Sequence, residues 1–208
     1  MNAEHIHLHI GDLPKGLKLP GPLAIDTETM GLVHGRDRLC LVQLSIGDGQ
    51  AHLVQIAKGQ TLAPNLQRLI EGKSDPALMH FARFDLASLK AGLGIDVPAV
   101  ICTKIASKLA RTYTDRHGLK DLCGELLDVD ISKQQQSSDW GGDELSLAQQ
   151  SYAASDVLYL HQLWEKLSAM LMREGKMDLA RAHFNFLPTR AQMDLRGWET
   201  RDLFSHGG

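Results

Sequence analysis

The order of two patterns along the chain restricts the fold that it can adopt. The first 56 residues carry short runs that alternate between apolar and polar residues, or are apolar throughout, as β-strands do. Helical patterns follow, interrupted by one short apolar run, and they dominate from Thr103 to about Arg190. Strands that pair early and alternate with helices later predict a mixed α/β sheet with helices packed on it.

Five segments predict the strands of this sheet. They are HIHLHI, PLAIDTE, RLCLVQLSI, AHLVQIA and PALMHFA, of which the third and fourth form a hairpin around the turn GDGQ. The first segment places His5, His7 and His9 on one face, where a solvated edge strand is a better explanation than a metal site. APNLQRLIEG and RFDLASLKAGLG predict helices, and the second of these ends at a glycine.

The length of the chain suits one domain and a short extension. With 208 residues it can bury a sizeable core. We assign residues 1–170 to the domain and residues 171–208 to a C-terminal helical arm. This arm keeps many apolar residues although the helix before it already supplies core residues. Two explanations stay open, because the arm either covers another subunit or folds back on its own domain.

Composition and charge exclude several classes of protein. A net charge of −3 excludes binding of long nucleic acid by charge alone, although it permits a local basic patch. The sequence has no run of about 18 apolar residues, so we expect no membrane span, and the start MNAEHIHLHI lacks the features of a secretory signal. Three widely spaced cysteines without a CxxC motif fit a reduced compartment. We therefore expect a cytoplasmic protein.

Four acidic residues occupy positions from which they can act together. Asp26 and Glu28 lie two residues apart at the end of an apolar run, so both side chains point to the same face of a strand. Asp85 follows MHFARF, where a strand passes into a helix. Asp156 lies four residues after Tyr152 on one helical face, at the rim of an apolar stripe.

Each of these acids has an ordinary explanation when it is taken alone, as a helix cap or a solvated surface residue. Their convergence at one place has a chemical consequence. The carboxylates would repel each other and raise each other's pKa unless cations lay between them. Carboxylate oxygens are the ligands that Mg²⁺ and Mn²⁺ prefer, and two such ions about 4 Å apart hold the attacking and leaving oxygens of a phosphoryl displacement.

The motifs DTE, HFARFD and YAASD, in this order, resemble those of the DEDD exonucleases in their tyrosine-containing subgroup. The resemblance covers roughly residues 20–170 and implies a fold similar to ribonuclease H, with a mixed five-stranded sheet flanked by helices. It also implies two divalent cations, Mg²⁺ or Mn²⁺, held by the four acidic residues. These ligands are Asp26, Glu28, Asp85 and Asp156. Tyr152 would orient the attacking water or help to deprotonate it, and the implied reaction is 3′→5′ hydrolysis of a phosphodiester to a nucleoside 5′-monophosphate.

The second half of the chain resembles ribonuclease D. ISKQQQSSDW carries its K-x-x-Q-x-S-D-W pattern, which makes Lys133, Gln136 and Trp140 candidate substrate contacts. Two features differ: 208 residues leave no room for the helical RNA-binding domains of that family, and the first motif continues as TMGL, which is similar to oligoribonuclease. Together these features are similar to nano-RNase C, the short relatives of ribonuclease D in alphaproteobacteria that degrade dinucleotides and form octameric rings. The resemblance therefore implies a homo-oligomer.

Further candidate substrate contacts lie around the first and third motifs. Thr27, Met30 and Leu32 belong to the first, and by resemblance Leu32 is a wedge against the bases. On spacing alone, a core leucine after a turn is the better explanation for Leu32. His80 either contacts the sugar or is a satisfied core histidine, and Phe84 is better explained as core than as a base-stacking residue.

The loop TYTDRHG holds the last set of candidates. Tyr113 offers a stacking surface, and Arg116 or His117 is a candidate for binding the 5′-phosphate of the substrate, including from a neighbouring subunit. A purely structural loop explains the same residues equally well.

Three functions are compatible with these observations. The leading hypothesis is a metal-dependent 3′→5′ exoribonuclease that hydrolyses RNA of about two nucleotides. The second is the same chemistry on longer RNA 3′ ends or on DNA. The third is an inactive nucleic-acid-binding module, which the presence of all four acids together with Tyr152 disfavours.

Overall fold

The structure, a computed structural model, describes residues 5–132 and 134–206. Within these residues the chain forms one six-stranded sheet. Its strands are β1 (Ile6–Ile10), β2 (Ala24–Thr29), β3 (Leu39–Ser45), β4 (Ala51–Gln55), β5 (Ala77–Met79) and β6 (Val100–Cys102). Their order across the sheet is β1-β4-β3-β2-β5-β6. β2 and β3 are antiparallel, as are β3 and β4, whereas the remaining neighbours are parallel. The predicted mixed α/β sheet is confirmed.

The sheet has one strand more than the five that were predicted. The missing strand is β6, which pairs with β5 over three residues. Three residues are too few to show an alternating pattern, so the sequence there gives no strand signal. The five predicted segments all form strands, and the hairpin around GDGQ is present as β3 and β4.

Seven α-helices lie in the described residues. They are α1 (Pro64–Glu71), α2 (Ala82–Leu93), α3 (Thr103–Ala110), α4 (Leu119–Leu127), α5 (Leu147–Leu158), α6 (Leu160–Arg173) and α7 (Met177–Met193), and a π-helical segment, Asp194–Trp198, follows α7. α2 and α5 both pack on β2 and β3. Every residue of β3 is buried, which explains why its sequence is apolar almost throughout instead of alternating.

The turn after β2 depends on a glycine. A side chain at Gly31 would collide with the carboxylate of Asp37. That carboxylate accepts a hydrogen bond from the backbone N–H of Val33 at 2.9 Å and pairs with Arg36. The glycine therefore lets Asp37 close the turn, which leaves Leu32 projecting with 75% of its surface exposed.

The histidines of β1 contact β4. His9 Nε2 lies 3.0 Å from His52 Nδ1, and the ring centroids of His7 and His52 are 4.8 Å apart. Burial and the two neighbouring imidazoles lower the pKa of His52 to about 4. In the described part of the chain these rings do not form a group of three metal ligands close enough to share one ion. The alternation in HIHLHI thus marks an edge strand that stacks imidazoles on its neighbour.

The C-terminal segment packs partly on its own domain. α6 continues across position 170, and α7 buries Phe184 and Leu187 in the main core. After α7, Trp198, Leu203 and Phe204 remain 40%, 58% and 87% exposed. Folding back on the domain therefore explains α7, whereas the residues after it present an apolar surface. Across the described residues, no helix is long and apolar enough to span a membrane.

A buried ion pair fixes this segment to the N-terminal turn of α2. Asp194, whose side chain is 2% exposed, accepts hydrogen bonds from Arg83 Nε and Nη2, the latter at 2.8 Å. Arg190 Nη2 lies 3.4 Å from the same carboxylate. One buried carboxylate therefore pairs with two guanidinium groups at the junction of α2 and α7.

We expect Asp194→Asn to lower the free energy of unfolding by about 3 kcal/mol, because loss of one charge leaves partly buried guanidinium groups unpaired. The melting temperature should fall by roughly 6–12 °C in a chain of this size. Thermal unfolding checks this, with Asp178→Asn as the control, since the Asp178–Arg181 pair is exposed. A similar small effect of both substitutions would contradict the prediction.

Candidate active site

Three carboxylates meet at the end of β2. Asp26 and Glu28 project from the same face of the strand, and Asp156 reaches them from α5. One oxygen of each side chain lies within 4.8 Å of the others. The strand period explains why Asp26 and Glu28 face one side, and the packing of α5 on β2 brings Asp156 to them.

Asp85 lies beside this group, on the opposite side of the strand. It is buried in the first turn of α2, and its Oδ1 accepts a hydrogen bond of 2.7 Å from the hydroxyl of Thr27. Thr27 alternates with Asp26 and Glu28 along β2, so it faces α2 while they face α5. Burial raises the pKa of Asp85 well above its usual value, and the charge of Asp26 adds to the increase. Asp85 does not belong to the group of three carboxylates that lie within 4.8 Å of one another.

The electrostatics of the group reflect its burial. Burial raises the pKa of Asp26 to about 7. It raises the pKa of Glu28 to about 10, and the charges of Asp26, Asp156 and Asp85 contribute to this increase. The pKa of Asp156 is raised for the same two reasons, burial and the charge of Asp26. Without compensating cations, these carboxyl groups therefore lose their protons less readily than free carboxyl groups do.

This donor set fits a hard divalent cation. It consists of carboxylate oxygens, which Mg²⁺ and Mn²⁺ prefer, and the described residues contain no other group of three ligand side chains so close together. Burial and the neighbouring negative charges raise the pKa values of these carboxyl groups. A bound cation would compensate both effects.

Gln43 is a neighbour of this site that the sequence prediction missed. It pairs with Asp26 across β2 and β3, and its Nε2 donates to Asp26 Oδ2 at 3.3 Å. The amide is fully buried in a strand that is otherwise almost entirely apolar. A buried amide within such a run is the signal that indicates a polar partner on the adjacent strand.

Tyr152 lies one helical turn before Asp156 and hydrogen bonds to it. Burial and the neighbouring acids raise the pKa of Tyr152 above its usual value, so the phenol keeps its proton. Its ring packs against Trp140, with centroids 6.0 Å apart. Trp140 is 3% exposed, and its indole N–H has no hydrogen-bond acceptor among the described residues.

The acidic group opens into a cavity of about 750 Å³. Eleven of the predicted site residues line it. They are Asp26, Thr27, Glu28, Met30, Leu32, His80, Phe84, Gln136, Trp140, Tyr152 and Asp156. The structure thus brings the candidates of the first motif, the helix α5 and the segment around Gln136 to one cleft.

The structure bears on the simpler explanations given for three of these residues. Leu32 is exposed at the cavity, so the alternative of a core leucine is wrong. Phe84 is half-buried, and its ring packs against His34 in a tilted arrangement with a centroid distance of 4.8 Å. His80 shares a hydrogen bond of 2.9 Å with the hydroxyl of Thr103.

The candidates from the loop TYTDRHG do not line this cavity. Tyr113 donates to Glu125 at 2.8 Å, Arg116 pairs with Asp121, and His117 shares a hydrogen bond with Ser107. Lys133 lies outside the described residues. Two other lysines, Lys104 and Lys120, line the cavity instead. From the sequence alone, a solvated helix face explains lysines at these positions equally well.

We expect Mg²⁺ to raise the melting temperature, and to raise it more at pH 8 than at pH 6. The raised pKa of Asp26, about 7, means that a cation must displace a proton from this carboxyl group at pH 6 but not at pH 8. The sign follows from linkage: without metal, this carboxyl binds more protons folded than unfolded, so its contribution destabilises the fold as pH rises. Thermal unfolding with and without EDTA should show a difference of about 2–4 °C between the two shifts. Equal shifts at both pH values would contradict this electrostatic description.

Comparisons with known proteins were consistent with one family. The model of a 3′-5′ exonuclease family matches residues 12–172. DNA polymerase I of Aquifex aeolicus is 38% identical over 150 residues, which span 72% of the chain and 24% of the polymerase. Ribonuclease D of Acidiphilium cryptum is 33% identical over 156 residues, which span 75% of the chain and 39% of that protein. The chain thus covers well under half the length of these relatives.

A solved structure agrees over almost the whole chain. Brucella melitensis NrnC is 55% identical, with a TM-score of 0.95 over 98% of this chain and 100% of that one. The same Brucella protein has been solved bound to pGG, with a TM-score of 0.93, and with bound Mg²⁺, with a TM-score of 0.92. The resemblance to the DEDD exonucleases, and within them to nano-RNase C, is confirmed.

Proposed function

The chain belongs to the 3′-5′ exonuclease family, and from this premise we propose that it hydrolyses very short RNA from the 3′ end. The products are nucleoside 5′-monophosphates, and the preferred substrate is a dinucleotide. The observation that carries the proposal is the meeting of Asp26, Glu28 and Asp156 within 4.8 Å at the wall of a cavity, beside Asp85.

In this proposal the four carboxylates hold Mg²⁺ or Mn²⁺, as the Mg²⁺ complex of the Brucella protein supports. Two such ions would supply positive charge where negative charge develops on the phosphoryl group. Gln43 fixes one oxygen of Asp26, and Thr27 fixes one oxygen of Asp85. These two hydrogen bonds leave the remaining carboxylate oxygens to face the cations.

Tyr152 orients the attacking water. Its phenol is protonated and adjacent to Asp156, so it can donate one hydrogen bond and accept another. A hydroxyl held by its neighbours restricts the position of water relative to the phosphorus atom, which is a positioning effect.

The length preference rests on the shape of the cavity. Leu32 projects from the glycine turn with 75% of its surface exposed, and Met30 lies beside it with 51% exposed. In this proposal the apolar side chain of Leu32 at the cavity wall separates neighbouring bases and blocks a longer strand. The pGG bound to the Brucella protein is a dinucleotide, which supports the same preference here.

The substrate phosphates require cationic partners. Lys104 and Lys120 line the cavity, whereas Arg116 lines an adjacent groove together with Lys120. We propose that the scissile phosphate lies next to the carboxylates. The 5′-phosphate of the substrate would then lie next to Lys104 and Lys120. Arg116 and His117 would reach a 5′-phosphate only in a neighbouring subunit, which agrees with their position outside this chain's own cavity.

A homo-oligomer would cover the exposed apolar residues that follow α7. Trp198, Leu203 and Phe204 form no part of the core of the described chain. The octameric ring of the resembling family gives this surface a partner, namely further copies of this chain. A solution mass equal to the 22.9 kDa of a single chain would exclude the assembly.

The proposal is tested with a series of 5′-labelled RNAs from two to about ten nucleotides, assayed in Mg²⁺ and in EDTA. We expect the dinucleotide to be hydrolysed at least about tenfold faster than the longest RNA, with no hydrolysis in EDTA. Equal rates along the series would remove the dinucleotide preference and leave the exonuclease.

One alternative follows from the same geometry. Ribonuclease D relatives are 28–34% identical to the chain, and a ribonuclease D-like action on longer RNA 3′ ends is the alternative. DNA of matched length, included in the same series, separates an RNA enzyme from a DNA enzyme. Hydrolysis of no substrate at any length would instead indicate a nucleic-acid-binding module.

A further inference from the structure

The residue before α2 has an unusual backbone conformation. Phe81 has φ 67° and ψ 40°, in the left-handed region that side chains other than glycine, asparagine and aspartate rarely adopt. Among the described non-glycine residues, one other has a positive φ, Asp128 at the end of α4, and aspartate tolerates this conformation.

The fold explains the conformation of the backbone at this position. β5 ends at Met79 and α2 begins at Ala82, so two residues must reverse the chain direction. The backbone N–H groups of Phe81 and Ala82 lie close enough to the buried Cys102 thiol to lower its pKa against the effect of burial, and Phe81 O accepts a hydrogen bond from Phe84 N at 3.0 Å. Glycine or asparagine would satisfy this geometry with less strain.

Packing does not explain why the side chain is aromatic. Phe81 is 46% exposed, so much of its ring gains nothing from burial in the core. The ring lines the same cavity as the acidic group, and the ammonium of Lys104 lies 4.6 Å from its centroid. A cation on one side of an aromatic ring holds the ring in place.

Strained backbone conformations cluster at active sites and ligand-binding sites, and this exposed ring lines the cavity. We therefore propose that Phe81 is a base-binding residue that stacks against a nucleobase of the substrate. The proposal deepens the proposed function and rests on it. Stacking is available to every base, but a purine presents more area than a pyrimidine. Phe81 should therefore contribute more to the binding of adenine than of uracil.

The test compares Phe81→Leu and Phe81→Tyr with the wild-type enzyme. Leucine retains an apolar side chain without an aromatic face, and tyrosine retains the face. We expect Phe81→Leu to raise KM for an adenine dinucleotide by about tenfold with kcat within about threefold, and Phe81→Tyr to stay within about twofold. The increase for a uracil dinucleotide should be smaller than for adenine. Asp128→Gly, which changes the other positive-φ residue outside the cavity, is the control and should leave both parameters unchanged.

Calorimetric titration of AMP in the presence of Mg²⁺ separates this inference from the proposed function. Weaker AMP binding in Phe81→Leu alone supports base stacking, even if the wild-type protein hydrolyses no RNA. Wild-type hydrolysis with an unchanged KM in Phe81→Leu overturns the inference and leaves the function intact. Equal losses for adenine and uracil, or an equal loss in Phe81→Tyr, indicate a structural role and also overturn it.

Discussion

Asp26→Asn should reduce hydrolysis of a dinucleotide by at least about a thousandfold, because it removes one charge from the group that binds the cations. Asparagine keeps the shape of the side chain and its contact with Gln43, so the fold should survive. Without metal, the variant should melt at a higher temperature than the wild-type protein. Burial of the Asp26 carboxylate and its repulsion of Glu28 both oppose folding, and the substitution removes both effects. Steady-state rates and thermal unfolding in EDTA check the two expectations.

The matched control is Asp96→Asn. Asp96 forms an exposed pair with Lys90, and we expect its loss to alter neither the rate nor the response to Mg²⁺. In Asp26→Asn the stabilisation by Mg²⁺ should disappear. A variant that kept wild-type activity would show that Asp26 is not part of the metal site.

Tyr152→Phe should slow hydrolysis by about a hundredfold to ten thousandfold, the range typical of a lost positioning or proton-transfer group. The substitution removes one hydroxyl and keeps the ring that packs on Trp140. Because the phenol is proposed to hold water and not a cation, KM and the increase in melting temperature with Mg²⁺ should change little. We therefore expect the decrease in rate to appear as a lower kcat.

Tyr159→Phe provides the control for removal of a phenol hydroxyl. Tyr159 packs on the main core between α5 and α6, away from the acidic group. Removal of the Tyr159 hydroxyl should leave kcat within about twofold of the wild-type value. If both tyrosine variants retained full activity, the role of Tyr152 in orienting water would be wrong.

The sequence predicts the acidic site through local geometry more than through distant contacts. The alternation of a strand requires Asp26 and Glu28 to share a face, and the helical period requires Tyr152 to lie beside Asp156. That the strand and helix meet depends on packing between segments about 130 residues apart, which no local pattern encodes. The resemblance to an exonuclease family supplied this part of the prediction.

Local sequence patterns do not predict three other features of the structure. β6 is too short to show a period, and the left-handed backbone at Phe81 is not signalled by phenylalanine, whose preference is for other conformations. The exposure of Leu32 depends on how Asp37 closes the turn at Gly31. These three cases share a cause, because each is decided by neighbours that the local sequence does not specify.

The candidates in the loop TYTDRHG are also decided by contacts that the local sequence does not specify. Arg116 has the chemistry of a phosphate ligand, but within one chain it pairs with Asp121 and lines another groove. The residue type of Arg116 predicted that it binds phosphate. Its position in the fold leaves it outside this chain's own cavity. Assembly with further copies is the remaining route by which it contributes to a site.

Anomalous diffraction from crystals grown with Mn²⁺ tests the central claim most directly. We predict two peaks about 4 Å apart, bounded by the carboxylates of Asp26, Glu28, Asp85 and Asp156. The peaks should be absent from Asp26→Asn crystals grown under the same conditions. Wild-type crystals with no manganese between these side chains would contradict the metal site, and with it the proposed hydrolysis.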